Sequence, residues 1–219
     1  MLNLSPIGFA LYLKGNNKKM CKRIFDFICS LGCIIVLSPI LFISILLIWL
    51  EDRKSPFYIA PRVGLNGRMF KIIKLRTMVI DAEKYGVYST TADDNRITRV
   101  GKILRKYKLD EMLQLVNVVK GEMSMVGPRP QVAWAVELYS EEEKKVLLNM
   151  RPGITDEASI KFRNEGEILK GSSDPDKDYF KKIHPEKMRL SMAYAKNMSL
   201  GFDLKILFRT FLCIFIKEA

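Results

Sequence analysis

The longest apolar run in the chain covers residues 27–50, 24 positions without a charge between Asp26 and Glu51. That exceeds the roughly 20 residues a helix needs to cross a bilayer, and no small-residue cleavage motif marks it as a removable signal peptide. Ser38-Pro39 falls at its middle, where proline removes one helical hydrogen bond and crowds the preceding turn. Basic residues flank both ends, with Lys18, Lys19, Lys22 and Arg23 before the run and Arg53, Lys54 and Arg62 after it. The positive-inside tendency puts both flanks in the cytoplasm, so the pattern predicts a re-entrant helix that turns back within one leaflet at Ser38-Pro39. An ordinary kinked span is the plainer alternative. Ahead of the run, residues 1–19 form a short leader with Pro6, Gly8 and Gly15, apolar and then basic, expected to be poorly ordered or to lie on a membrane surface.

Past the apolar run the pattern changes. Residues 61–78 carry five basic residues, no acid and a turn at Leu65-Asn-Gly67, which predicts a small basic β-hairpin at the membrane surface. Residues 81–95 are polar and read as a loop. Ile103, Leu104, Tyr107, Met112, Leu113 and Val116 recur at helical spacing, which predicts one helix over residues 101–119. Residues 137–149 set Leu138, Val146, Leu147 and Leu148 among charges, as in a surface helix, and residues 204–216 read as an interfacial helix too short between its charges to span. The fold class is therefore α+β and predominantly helical: a re-entrant membrane helix, a small basic hairpin and amphipathic interfacial helices.

Charge narrows the chemistry without choosing it. Lys and Arg number 36 against 24 Asp and Glu, a net charge of +12 that suits nucleic acid, an anionic membrane surface or a phosphorylated ligand equally well. Base-stacking aromatics are nearly absent from the basic stretches, which argues against a nucleic-acid partner. Cys21, Cys29, Cys33 and Cys213 lie in or beside apolar segments with no CxxC pair, the pattern of packing thiols in a reducing compartment. The lone His184 sits in a polar stretch without companion ligands and reads as a surface residue.

Candidate chemistry concentrates at Asp110-Glu111. Residues 96–108 supply six bases and no acid just upstream, and Arg129 follows within Gly127-Pro-Arg-Pro130. On a regular helix the adjacent acids project about 100° apart. One could attack phosphorus as a nucleophile while the other manages a proton or a Mg²⁺ ion, a metal that takes one or two carboxylates together with substrate phosphates. Spacing alone favours the plainer reading of a solvated acidic pair.

Four blocks together resemble the bacterial sugar transferases, specifically the monotopic phosphoglycosyl transferases that act on polyprenol phosphate. They are Lys22-Arg-Ile-Phe-Asp26 leading to Ser38-Pro39; Arg62-Val-Gly64 with Phe70-Lys-Ile-Ile-Lys-Leu-Arg-Thr-Met78; Leu104-Arg105 with Leu109-Asp-Glu111, Gln114-Leu115 and Asn117-Val118; and Gly121-Glu-Met-Ser-Met-Val-Gly-Pro-Arg-Pro130. Arg151-Pro-Gly-Ile-Thr155 and Asp203-Leu-Lys-Ile206 fit as well, whereas residues 156–165 depart from the commoner pattern of glycine, tryptophan, alanine and glutamine.

The resemblance implies transfer of a sugar 1-phosphate from a nucleotide diphosphate sugar, usually a UDP-sugar, to a polyprenol phosphate such as undecaprenyl phosphate, with Mg²⁺ as cofactor. Asp110 would be the nucleophile that carries the phosphosugar, and Glu111 its partner in holding Mg²⁺ or managing the acceptor's proton. Arg105 and Arg129 map onto phosphate-holding positions, with Lys74 and Arg76 as further candidates. The chain then divides into a leader (residues 1–20), a membrane-inserted re-entrant helix (21–52) and a catalytic domain with interfacial helices (53–219), on the cytoplasmic face of a bacterial inner membrane and in contact with membrane lipid. Whether it pairs as a homodimer is left open. The competing class is a non-catalytic membrane-bound scaffold or regulator that binds anionic lipid or nucleic acid through its basic runs.

Overall fold

A computed structural model describes residues 6–82 and 89–215. The fold is α+β and predominantly helical, built around a single long helix, α1 (Pro6–Asp52). Lys19–Asp52 is by length and composition apolar enough to cross a membrane. Residues 1–5 of the expected leader lie outside the described residues, and from Pro6 the leader is helical and continuous with α1. Nor does Ser38-Pro39 interrupt the helix: Pro39 sits inside α1, and the Ser38 hydroxyl donates to the Ile35 carbonyl at 2.8 Å. Both residues face outward, so the proline costs one backbone donor without disturbing packing.

One stripe of α1 packs on the rest of the protein. Asp26, Ser30, Leu41, Ser44 and Ile48 are buried, and Cys33, Leu37 and Ile45 pack against the two hydrophobic clusters beneath. These positions recur every three to four residues, the period of a helix face. The opposite face leaves Ile28, Ile35, Val36, Phe42 and Ile43 exposed. Polar contacts pin both ends of the apolar run. Lys22 reaches Asp203 at 2.5 Å, and Arg23 donates to the Val118 and Val119 carbonyls at 2.6 and 2.8 Å. At the far end Asp52 accepts both arms of Arg76 at 2.7 Å, and Glu51 accepts from the Arg99 amide at 2.9 Å.

Strands β1 (Phe57–Val63) and β2 (Met69–Leu75) pair antiparallel, with Val63 opposite Met69 at the turn. Asn66 and Gly67 take positive φ of 56° and 73° there, the left-handed backbone that Asn-Gly adopts readily. Helix α2 (Arg99–Lys106) starts at Thr98, whose side chain accepts from the Gly101 amide. It lies so close to the end of the hairpin that a Cβ on Gly101 would sit 2.2 Å from the Thr77 carbonyl oxygen. Helix α3 (Gln114–Lys120) is stitched to β2 by the buried Asn117, which accepts from the Ile73 amide and donates to the Lys71 carbonyl.

The expected helix over residues 101–119 is therefore two helices. Between α2 and α3 the backbone turns at Lys108, φ 56°, into a 3-10 turn over Leu109–Glu111. On either side of the break Leu104, Met112 and Leu113 share one cluster with Leu41, Ile48 and Leu75, whereas Ile103 and Tyr107 in the same spacing are exposed.

Strand β3 (Ser124–Val126) pairs parallel with β4 (Gly153–Thr155). A Cβ on Gly153 would fall 2.1 Å from the Gly127 amide nitrogen, so glycine is required where the Gly127-Pro-Arg-Pro loop crosses. The short α4 (Ala133–Glu137) precedes helix α5 (Glu141–Leu147), which stands within residues 137–149, where the pattern predicts one surface helix. They part at Ser140, which forms a capping box with Glu143, a device worth about 1 kcal/mol. Then follow α6 (Glu157–Lys161), α7 (Glu165–Ile168), α8 (Pro175–Lys182), α9 (His184–Asn197) and α10 (Leu200–Phe215).

Candidate active site

Two helices converge on Val126, backed by a third, and so fix the loop that carries Arg129. Its carbonyl accepts from Lys22 of α1 at 3.2 Å and from the Tyr194 hydroxyl of α9 at 3.1 Å. Both donors also hold the fully buried Asp203 of α10, Tyr194 at 2.7 Å. Next to it the Met125 amide donates to Asp26 of α1. Asp203 thus braces the base of the loop; the start of α10 is tied instead by Ser199, which accepts from the Phe202 amide.

The 3-10 turn presents Asp110 and Glu111 to different surroundings. Arg129 donates to both oxygens of Glu111, at 2.8 Å to Oε2 and more closely to Oε1, and Lys74 of β2 reaches Oε1 at 3.0 Å. Burial works to raise the Glu111 pKa, but Arg129 and Lys74 hold the carboxyl well below its usual range. The same contact raises Arg129. Lys74 is lowered by burial despite Glu111. Asp110 behaves oppositely: it is buried, its Oδ1 has no hydrogen-bond partner, and burial, joined by the Glu111 charge, pushes its pKa up. An unpaired buried carboxylate oxygen is costly unless something else engages it.

Asp110 and Glu111 line a cavity of about 1340 Å³, together with Lys74, Arg105 and Arg129. Nine Lys or Arg and five Asp or Glu line it, a surplus that draws in phosphate. Arg105 is held by its Nε to the Thr77 hydroxyl at 2.8 Å, the contact that the close approach at Gly101 permits. Arg76 lies elsewhere. It is buried, spends both arms on Asp52, donates to the Ser55 and Met78 carbonyls, and does not line the cavity. The expectation of a phosphate contact at Arg76 gives way to an anchor for the end of α1, because its charge is already met. Ser38 and Pro39 are likewise remote from the cavity.

One wall consists of residues that the linear pattern does not connect. Trp134, Tyr179, Phe180 and His184 line it, with ring centroids of Trp134–Phe180 at 5.8 Å and Phe180–His184 at 5.1 Å. His184 is half-buried in this cluster rather than solvated at the surface, and burial lowers its pKa. Lys187 sits 5.1 Å from the Tyr179 ring and pairs with Glu165. The residues come from α4, α8 and α9, so only the adjacent Tyr179-Phe180 gave a local sign. In residues 156–165, Asp156 is buried and caps α6 through the Ser159 amide at 2.7 Å.

Among the described residues no group of three or more His, Cys, Asp or Glu could hold a metal ion. Of the acidic pair, Asp110 fits a magnesium ligand through its unpartnered Oδ1, whereas both Glu111 oxygens are taken by cations.

Comparison with known proteins agrees with the class of chemistry this cavity favours. A family model described as bacterial sugar transferase matches residues 17–217. The chain is 36% identical over 204 residues to the exopolysaccharide production protein ExoY of Sinorhizobium fredii, covering 86% of this chain and 83% of that one. It is 33% identical over 191 residues to the UDP-glucose:undecaprenyl-phosphate glucose-1-phosphate transferase of Caulobacter vibrioides, covering 86% and 67%. A third relative, the UDP-N-acetylgalactosamine-undecaprenyl-phosphate N-acetylgalactosaminephosphotransferase of Aeromonas hydrophila, is 33% identical over 191 residues, covering 86% of this chain and 42% of that one. The chain belongs to the bacterial sugar transferase family and is a transferase enzyme.

Proposed function

We propose that this enzyme transfers a sugar 1-phosphate from a UDP-sugar to a polyprenol phosphate such as undecaprenyl phosphate, through a phosphosugar carried covalently on Asp110. The observation that carries this reading is the division of labour in the acidic pair: Glu111 is spent on Arg129 and Lys74, while Asp110 keeps a buried, unpartnered oxygen on the wall of a cationic cavity.

In the first step an Asp110 oxygen attacks the phosphorus that bears the sugar. A new P–O bond forms as the bond from that phosphorus to the bridging oxygen breaks, and UMP leaves with the electron pair. In the second step a phosphate oxygen of the acceptor attacks the same phosphorus, the bond to Asp110 breaks, and the carboxylate is regenerated. Arg129 and Arg105 hold the phosphates, and a guanidinium fork suits two oxygens at once. Glu111 positions Arg129 and Lys74 rather than moving a proton, since both cations stabilise its ionised form. The aromatic wall around Trp134 and Phe180 gives the donor's pyrimidine a stacking face. Asp110 together with substrate phosphates would hold magnesium, which would neutralise charge on the donor's diphosphate and on the UMP that leaves.

Membrane attachment follows from α1. A helix bound by the same domain along one stripe and at both Lys22 and Asp52 cannot place that domain on one side of a bilayer and thread straight through it, because residues 22–52 extend about 45 Å at 1.5 Å per residue. This supports an unbroken helix embedded in one leaflet of the inner membrane, with the domain and both pinned positions, Lys22 and Asp52, on the cytoplasmic side. Its exposed apolar face, with that of α10, meets lipid.

The test is UMP release by the purified protein from a panel of UDP-sugars, with undecaprenyl phosphate as acceptor. Release with at least one donor is expected. No release from any donor, with lipid binding retained, would leave a scaffold in its place.

A further inference from the structure

We infer that the wall of the cavity formed by α10 holds the apolar tail of the polyprenol phosphate, with Thr210 and Cys213 beside the path by which that tail passes into the bilayer. The inference rests on the reaction proposed above and assigns one end of the cavity to one substrate.

Two faces of α10 carry the argument. On the inner face Asp203 and Ile206 are fully buried in the core, and Thr210 and Cys213, in the same helical register, line the cavity. On the outer face Leu204, Phe208 and Phe211 are 49%, 63% and 60% exposed. An apolar stripe of that kind on a helix of a protein whose α1 is held at a membrane is covered by lipid. The same helix therefore touches the bilayer outside and the cavity inside, across a diameter of about 10 Å.

The character of the cavity changes along its length to match. Around Asp110 it is cationic, with Lys74, Arg105 and Arg129. Toward α10 the lining includes Ile154 and Ile160. The Thr210 hydroxyl offers nothing there, since it is engaged by Thr155 at 2.8 Å and by the Ile206 carbonyl at 2.8 Å. A polyprenol phosphate has one anionic head and a branched hydrocarbon tail. Its head matches the Asp110 end and its tail the α10 end, whereas the donor has no hydrocarbon chain to place there.

Cys213 is a native reporter of this path. With Cys21, Cys29 and Cys33 replaced by alanine, saturating undecaprenyl phosphate should slow maleimide labelling of Cys213 at least fivefold, and a UDP-sugar should not. In parallel, Cys213→Trp should raise the KM for undecaprenyl phosphate at least tenfold but that for a two-isoprene phosphate less than twofold. Labelling indifferent to the acceptor, or a KM change equal for both chain lengths, would overturn the assignment. Failure of the reaction itself is read separately: a parent protein that releases no UMP in the presence of donor sinks the proposed chemistry, whatever Cys213 reports.

Discussion

Arg129 faces Glu111 fork to carboxylate, with one guanidinium nitrogen 2.8 Å from Oε2 and the other on Oε1. This geometry makes Glu111 a fixed counter-charge that aims a cation at the cavity. Arg129→Lys keeps the charge and loses the fork, so kcat/KM should fall on the order of 10- to 100-fold, the worth of one charge-assisted hydrogen bond. Glu111→Gln should lower both activity and the thermal midpoint, because Lys74 and Arg129 lose their shared anion. Steady-state kinetics and a melting curve on the two variants check this, and unchanged kinetics in Arg129→Lys would place that arginine outside the substrate contacts.

Arg105 and Arg76 should respond in opposite ways. Arg105 lines the cavity and is steadied by Thr77, so Arg105→Ala should raise KM for a phosphorylated substrate about tenfold or more while leaving the melting temperature near the parent value. Arg76 ties β2 to the end of α1 through Asp52. Arg76→Ala should lower stability and leave the KM of the folded fraction unchanged. Kinetic damage from Arg76→Ala without loss of stability would contradict its role as an anchor.

The raised pKa of Asp110 has a sign for activity and another for stability. Burial, helped by the Glu111 charge, favours the protonated form, so reaction with donor should fail as pH drops through a value above the ordinary aspartate range. In the window between its unfolded and folded pKa the native state binds the extra proton, and stability attributable to Asp110 falls as pH rises through that window. Asp110→Asn, which cannot ionise, should therefore melt higher than the parent at neutral pH while losing turnover. A lower midpoint for that variant would show that the carboxylate is stabilised in the fold, contrary to its surroundings.

Much of the framework is visible in the residue pattern, and what is not has identifiable causes. The apolar run that becomes α1 and the Asn-Gly turn of the hairpin are local signals. Lys108 carries no such signal: the left-handed residue that breaks the helix is neither glycine nor asparagine, and the apolar spacing runs straight through it. Arg76 reads as one more base in a basic strand, since its partner Asp52 lies 24 positions away. The aromatic wall is assembled from residues 134, 179, 180 and 184 and exists only once α4, α8 and α9 have packed. At Ser140 the signal is local: Ser140 followed by Glu143 is a capping box, and it starts α5 inside the stretch whose pattern reads as a surface helix.

The contacts of α1 set a topological expectation. Cysteines introduced at positions 20 and 54 should both resist an impermeant thiol reagent applied from the periplasm, with the native cysteines replaced. Because Lys22, Arg23 and Asp26 bind the domain, replacing Ser38 and Pro39 with Ala and Leu should leave position 20 protected. Labelling of position 20 in the parent protein would establish a single span in place of an unbroken helix held in one leaflet.

Intact-protein mass after incubation with the UDP-sugar alone tests the covalent route most directly. The parent protein should gain the mass of one sugar phosphate, with one UMP released per site, and Asp110→Asn should gain nothing. Turnover by the parent with no added mass on donor alone, or an Asp110→Asn variant that works at the parental rate, would contradict a phosphosugar carried on Asp110.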